Sequence, residues 1–286
     1  MASFSTGVDW GRRESDKARD KDKKEARIEQ LRVMKKTTAI EKIRARLAAV
    51  PADAAGDYAL HMWRHTFDCL ESGRADASGA LPYLPVAPET LGVALGADHR
   101  LLDAGCLGGH GMFDLAQRRS AAGLPVPRMT GLDIAFNVPV MELSENGFVM
   151  ATAEALPFAD ETFRVVVARL LLPYVRIAPA LAELRRVLTP GGLLYLQSHG
   201  PRYYRRKLLQ QLAAPRVAFY YLRPLVSGWI LRSSGRQPQS PRWRETAVSA
   251  GMLERLAARH GLRVVWRGTD QARPLLVLRR VVVHGA

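Results

Sequence analysis

Between residues 100 and 200 the chain alternates short apolar runs with helical stretches, and Gly, Asp and Pro stand where one gives way to the next. That alternation is the mark of a parallel sheet wrapped by helices, and it leaves few other folds open. It predicts strands over residues 100–104, 128–133, 148–151, 163–168 and 193–198, with helices over 111–120, 138–143 and 178–188. In the last of these helices Leu181, Leu184, Val187 and Leu188 form the buried face. A helix over 247–260, stopped by Gly261, and two closing strands over 262–266 and 275–283 complete a seven-stranded, doubly wound α/β sheet.

The flanks have a different texture. Nearly every residue from Arg12 to Arg27 is charged or small, whereas Ile28, Leu31, Met34, Ile40, Ile43, Leu47 and Val50 fall at helical spacings. Residues 1–50 therefore read as a basic extension, helical or in part unfolded, whose amphipathic half pairs or docks. Pro51 ends it, and a second helix over 58–70, capped by Asp57, carries Tyr58, Met62, His65 and Cys69 on one face. Residues 51–83 read as a segment that folds over the site, and the sheet domain is expected to run from 84 to 286. After the fifth strand a basic, aromatic insert over 201–245 breaks the alternation and reads as a helical cap.

Charge sharpens this division. Residues 1–48 hold 14 Lys and Arg against 8 Asp and Glu, residues 49–200 hold 11 against 16, and residues 201–286 hold 17 against 3. The basic character belongs to the ends, which points to an anionic partner there: RNA or an anionic membrane surface. No apolar run reaches the roughly 18 residues that cross a bilayer, and residues 1–24 show no apolar core of a secretory signal. Two cysteines, Cys69 and Cys106, make no disulfide framework and lack neighbours at metal-ligand spacing, so a reducing, cytoplasmic setting and no metal are expected.

The chemistry concentrates at strand ends. The first predicted strand runs through Asp103 into Gly105, Cys106, Leu107, Gly108, Gly109, His110 and Gly111, a turn that brings bare backbone close to a ligand. The second ends at Asp133, where a carboxylate can accept hydrogen bonds from both hydroxyls of a ribose. Thr152, Ala153 and Glu154 follow the third, and the run Glu183 to Gly192 precedes the fifth. In this order and spacing the stretch over about residues 100–200 resembles class I S-adenosylmethionine-dependent methyltransferases of the type 11 group. The resemblance implies S-adenosylmethionine as cofactor. It places Asp103, Gly105 and Gly109 under the methionine part, Asp133 on the ribose, and Ile134, Thr152, Ala153 and Glu154 around the adenine. Three positions depart from the family pattern: Leu107 replaces a glycine, Thr152 an acid, and Arg164 another acid.

Methyl transfer from a sulfonium mainly requires alignment and exclusion of water, with a base where the nucleophile is an oxygen. Of His61, His65, His110 and His199, the last follows the fifth strand at the ligand-binding edge and is the preferred base. Arg169 and Tyr174, after the fourth strand, face the same crevice, Arg169 as a cofactor-binding candidate and Tyr174 beside His199 as a catalytic one. The tetrapeptide of Asn or Asp, two prolines and an aromatic, common among enzymes that methylate amide or base nitrogens, is absent where Arg169 to Tyr174 stand. The expected activity is O-methylation of a small-molecule, glycan-type or lipid-linked anionic acceptor. The alternatives are an RNA methyltransferase that uses the basic arm and cap, and a non-catalytic assembly protein of the same fold whose N-terminal helix binds a partner or a second copy.

Overall fold

The computed structural model describes residues 83–106, 109–134, 147–238, 245–270 and 272–282. The extension, the segment over 51–82, Leu107, Gly108 and the helix expected over 138–143 lie outside the described residues.

Seven strands form one sheet in the order β3-β2-β1-β4-β5-β7-β6. They are β1 (Arg100–Ala104), β2 (Arg128–Asp133), β3 (Gly147–Met150), β4 (Phe163–Arg169), β5 (Leu188–Gln197), β6 (Leu262–Asp270) and β7 (Arg273–Arg280). The first five are parallel, and β7 enters antiparallel between β5 and β6. The helices are α1 (His110–Ala121), α2 (Ile177–Val187), α3 (Pro201–Gln210), α4 (Pro215–Ser234) and α5 (Ala250–Arg259).

The apolar runs of the strands divide by parity, because successive strand side chains leave opposite faces. Leu102, Ala104, Val166, Ala168, Leu194 and Leu196 pack with α2 and α5 on one face. Leu101, Val165, Val167, Leu193 and Tyr195 pack with Met112 and Leu115 of α1, and with Tyr83 and Leu84, on the other. Both faces are dry, as a doubly wound sheet requires.

Two boundaries move for reasons visible in the contacts. β5 begins at Leu188, which pairs with Phe163, and the sheet passes through Pro190-Gly191-Gly192 with a register shift between Phe163 and Val165. α5 begins at Ala250 because Ala247 and Val248 are already tied as extended chain, their amides donating to the carbonyls of Pro224 (2.9 Å) and His199 (3.3 Å). Ser249 then caps the helix, accepting from the Met252 amide at 3.3 Å. The insert after β5 consists of two helices, with Pro215 in the first turn of the second. It leaves the sheet at His199 and returns to it at Val248, so the hydrogen bond between them closes the insert at its base.

Candidate active site

The carboxyl ends of β1, β2, β4 and β5 share one edge of the sheet, where open α/β sheets take their ligands. At the β1–β2–β3 end the edge is mostly backbone. Gly105 and Gly109 hold φ of 80° and 75°, a region that costs other residues about 1–2 kcal/mol. The amides of Gly105 and Cys106 both donate to the Leu132 carbonyl, at 2.7 and 3.1 Å, which binds the turn to the end of β2. A β-carbon on Gly109 would stand 2.9 Å from Cζ of Phe148, and one on Gly131 would stand 2.6 Å from Cδ1 of the same ring. Phe148 therefore fixes how close the turn lies to β2 and β3.

Asp133 ends β2, and its Oδ1 accepts from the Ile134 amide at 2.8 Å. Ile134 is exposed, as is Met150, the register partner of Asp133 on β3. Thr152 is exposed and its hydroxyl accepts from the Glu154 amide at 3.2 Å, while Ala153 is buried in the core. Glu154 is drawn away toward Arg176, accepting from its amide at 2.8 Å and pairing with its Nε. The loop after it is held from below: Arg186 donates to the carbonyls of Leu156 and Phe158 and to Glu183 and Asp160, and Glu183 accepts from the Leu156 amide at 2.7 Å.

Behind the turn, Asp103 is buried, which pushes its carboxyl up to about 7; the neighbouring Tyr83 hydroxyl and Arg169 oppose that rise and Asp133 adds to it. The Tyr83 hydroxyl lies beside Asp103 without the geometry of a settled hydrogen bond. The Tyr83 ring covers Gly111, where a β-carbon would fall 2.1 Å from Cε2. Arg169 lies over this ring, 5.7 Å from its centroid, and donates from Nε to Gln197 at 3.1 Å. Buried Gln197 donates in turn to Asp270 at 3.0 Å, which faces Arg273 at 3.9 Å. The Arg273 guanidinium sits 5.2 Å from the centre of the Tyr203 ring.

That chain leads to a second cluster, at the β4–β5 end. His199 is 8% exposed, and its ring stacks on Tyr203 with centroids 4.1 Å apart and planes 7° from parallel. Nδ1 faces the hydroxyls of Tyr174 at 3.3 Å and Tyr204 at 3.4 Å. The Tyr204 hydroxyl donates to Oε1 of Glu245 at 2.8 Å, and Tyr174 and Tyr220 also bond that carboxylate. Because the Tyr204 phenol gives its proton to Glu245, its oxygen accepts from Nδ1–H, which puts the imidazole lone pair on Nε2. Nε2 is buried and has no hydrogen-bond partner among the described residues. Burial, with Arg273 and Lys207 adding repulsion, lowers the imidazole to about 3, so the ring is neutral at physiological pH. Burial raises Glu245 above the usual carboxylate range, against the pull of its three phenols and Arg223.

Of the residues expected from sequence, Asp103, Gly105, Gly109, Asp133 and Ile134 thus meet around the turn, and His199 and Tyr174 meet at the cap. Arg169 bridges the two groups. Thr152 is engaged with its own loop, and Glu154 with Arg176 at the start of α2. His110 opens α1, and His61 and His65 lie outside the described residues. Tyr83, Tyr204 and Glu245 were not expected in these roles. Glu245 carries one visible signal: it is the sole acid between Glu183 and Glu254, set in a strongly basic run. Among the described residues no cluster of His, Cys, Asp and Glu is arranged to hold a metal.

Residues 102–196 match the family model of a methyltransferase domain. Similar solved structures include an S-adenosylmethionine-dependent methyltransferase from Methanosarcina mazei, 18% identical, with a TM-score of 0.46 over 69% of this chain and 99% of that one. Another, from Mesorhizobium loti, is 16% identical with a TM-score of 0.44 over 68% and 96%. A third, solved for the conversion of a disulfide bond into a thioacetal group during echinomycin biosynthesis, is 20% identical with a TM-score of 0.46 over 76% and 92%. No curated protein matches the chain. The β1–β3 edge suits S-adenosylmethionine chemically: a buried carboxyl for an ammonium, positive-φ glycines for close backbone approach, and a strand-end acid beside exposed Ile134 for a nucleoside.

Proposed function

We propose that this chain, which carries a class I S-adenosylmethionine-dependent methyltransferase domain of the type 11 group, methylates a hydroxyl oxygen of a small-molecule, glycan-type or lipid-linked acceptor bound beneath the cap. The observation that carries this reading is the buried Nε2 of His199, without a hydrogen-bond partner among the described residues and backed by two phenols and a carboxylate.

On this reading Asp133 holds the ribose, Ile134 lies on the adenine, and Asp103 meets the ammonium of the methionine part across the Gly105–Gly109 turn. When bound, S-adenosylmethionine would supply a methyl carbon on a positive sulfur, to be taken by the acceptor oxygen as the carbon–sulfur bond breaks and its electron pair returns to sulfur. The acceptor hydroxyl donates to Nε2 of His199, which aligns an oxygen lone pair for attack. As the oxygen becomes an ether its proton passes to Nε2. Nδ1 then gives its own proton to a phenol oxygen, and that phenol's proton moves to Glu245. An imidazolium lowered to about 3 is a conduit and not a store, whereas the burial that raises Glu245 suits it to keep the proton until water takes it.

The test is incubation of the protein with methyl-tritiated S-adenosylmethionine and fractionated cell extract, with and without ribonuclease. Label in the small-molecule, glycan or lipid fraction, stable to mild base as an ether is, supports the reading. Label confined to ribonuclease-sensitive material overturns it.

A further inference from the structure

No Asp or Glu stands between Glu183 and Glu245, and residues 201–236 of that stretch carry eight Lys and Arg. They form α3 and α4. The inner face of α4 is accounted for: Pro224, Ser227 and Leu231 are buried, and a β-carbon on Gly228 would fall 2.2 Å from the Ala247 carbonyl. The opposite face is apolar as well. Phe219, Leu222, Val226 and Trp229 follow one another at spacings of three, four and three, one stripe of a helix, and Trp229 is 68% exposed. Leu209 and Leu212, at the α3–α4 link, are equally bare. Helical geometry sets the exposed Arg216 and Arg232 on opposite flanks of the stripe, with exposed Arg205 and Arg206 on α3.

A helix that is apolar on two faces buries both somewhere, and the charge of the rim says where. A second copy would bring one cationic rim against another. The basic extension, with 14 Lys and Arg against 8 acids in residues 1–48, meets the same repulsion. RNA would satisfy the arginines but has no use for exposed Leu209, Leu212 and Leu222. An anionic bilayer surface satisfies everything at once: headgroup phosphates for the arginines, acyl chains for the leucines and Phe219, and the boundary between them for the Trp229 indole. We infer that the outer face of α4 and the α3–α4 link dock the protein on an anionic lipid surface, as an interfacial helix and not a spanning one. Among the described residues no helix is long and apolar enough to cross a membrane. The inference does not rest on methyl transfer, since docking is read without cofactor or acceptor.

The experiment is co-sedimentation of the full chain with phosphatidylcholine vesicles, with and without about one-third phosphatidylglycerol. The protein is expected to bind the anionic vesicles about tenfold more strongly than the neutral ones, less at high salt, with a blue shift of Trp229 emission that W229F removes. The triple variant F219S/L222S/W229S and, separately, R216E/R232E each lose about tenfold, while L124S, at an exposed leucine in the loop after α1, binds normally. Thermal melts establish that each variant is folded; if the triple variant is not, R216E/R232E decides. Equal binding by wild type and variants would assign the lipid affinity elsewhere and overturn the inference. So would absence of binding to anionic vesicles, whether the stripe then proves to mediate self-association in light scattering or RNA retention in gel shifts.

Discussion

The two ends of the ligand edge are built from different materials. At the β1–β2–β3 end the chain works with backbone: two positive-φ glycines, a turn tied to the Leu132 carbonyl, and acids at consecutive strands. At the β4–β5 end it works with long side chains, drawing Tyr174, the neighbours His199 and Tyr204, and Glu245 from three stretches of chain into one buried group. The first construction makes a shape that any ligand of the right outline meets identically. The second makes a hydrogen-bond pattern, which fails if one member is replaced. A thread of side chains runs between the ends, from Tyr83 through Arg169, Gln197 and Asp270 to Arg273.

If the division is real, a change at one end leaves the other intact. The largest effect is expected from Glu245→Gln: methyl transfer falls by about 10²- to 10⁴-fold in steady-state assays on the labelled fraction, while S-adenosylmethionine affinity is unchanged. Asp133→Ala should do the reverse, weakening the cofactor by about 100-fold in calorimetry, the loss of two hydrogen bonds to a charged group, with the cap cluster undisturbed. Loss of both functions in either variant would break the comparison.

The ends also titrate in opposite senses. Asp103, raised to about 7, adds stability that is full below the ordinary carboxylate range and is lost as pH rises to 7. His199, lowered to about 3, adds stability that is full above its ordinary value near 6.5 and is lost as pH falls toward 3. In the native protein the two slopes oppose each other between about pH 4 and 6.5. Melting temperatures across pH 4–8 should therefore climb with pH in Asp103→Asn and decline with pH in His199→Asn, and parallel profiles would sink the assignment. The smallest effect is expected from Arg186→Ala, which unpins the loop over 155–160: about a two- to fivefold weaker cofactor, again by calorimetry, with catalysis at saturation untouched.

This contrast also explains what the sequence disclosed. Val165 to Ala168 and Leu193 to Leu196 pack alternately on two dry faces, so apolar runs alone locate the strands, and Gly105, Gly109 and Asp133 act within a few residues of their strand ends. Local chemistry is written locally. The cap cluster depends on contacts such as Tyr204 to Glu245, 41 residues apart, and no local pattern encodes those. The start of α5 was hidden for a similar reason, since bonds from Ala247 and Val248 to distant carbonyls hold them out of a helix their residue types would join. The Pro190-Gly191-Gly192 run reads as a turn, yet pairing of Leu188 with Phe163 carries the strand through it.

The hydrogen bond from the Val248 amide to the His199 carbonyl has a consequence for how such a protein diversifies. An excursion that departs and returns at one point adds little closure entropy to the fold that bears it, and its length and content can change without moving its anchors. The cap is in that sense a graft. An exchanged insert between His199 and Val248 would meet an unaltered sheet and an unaltered Gly105–Gly109 turn.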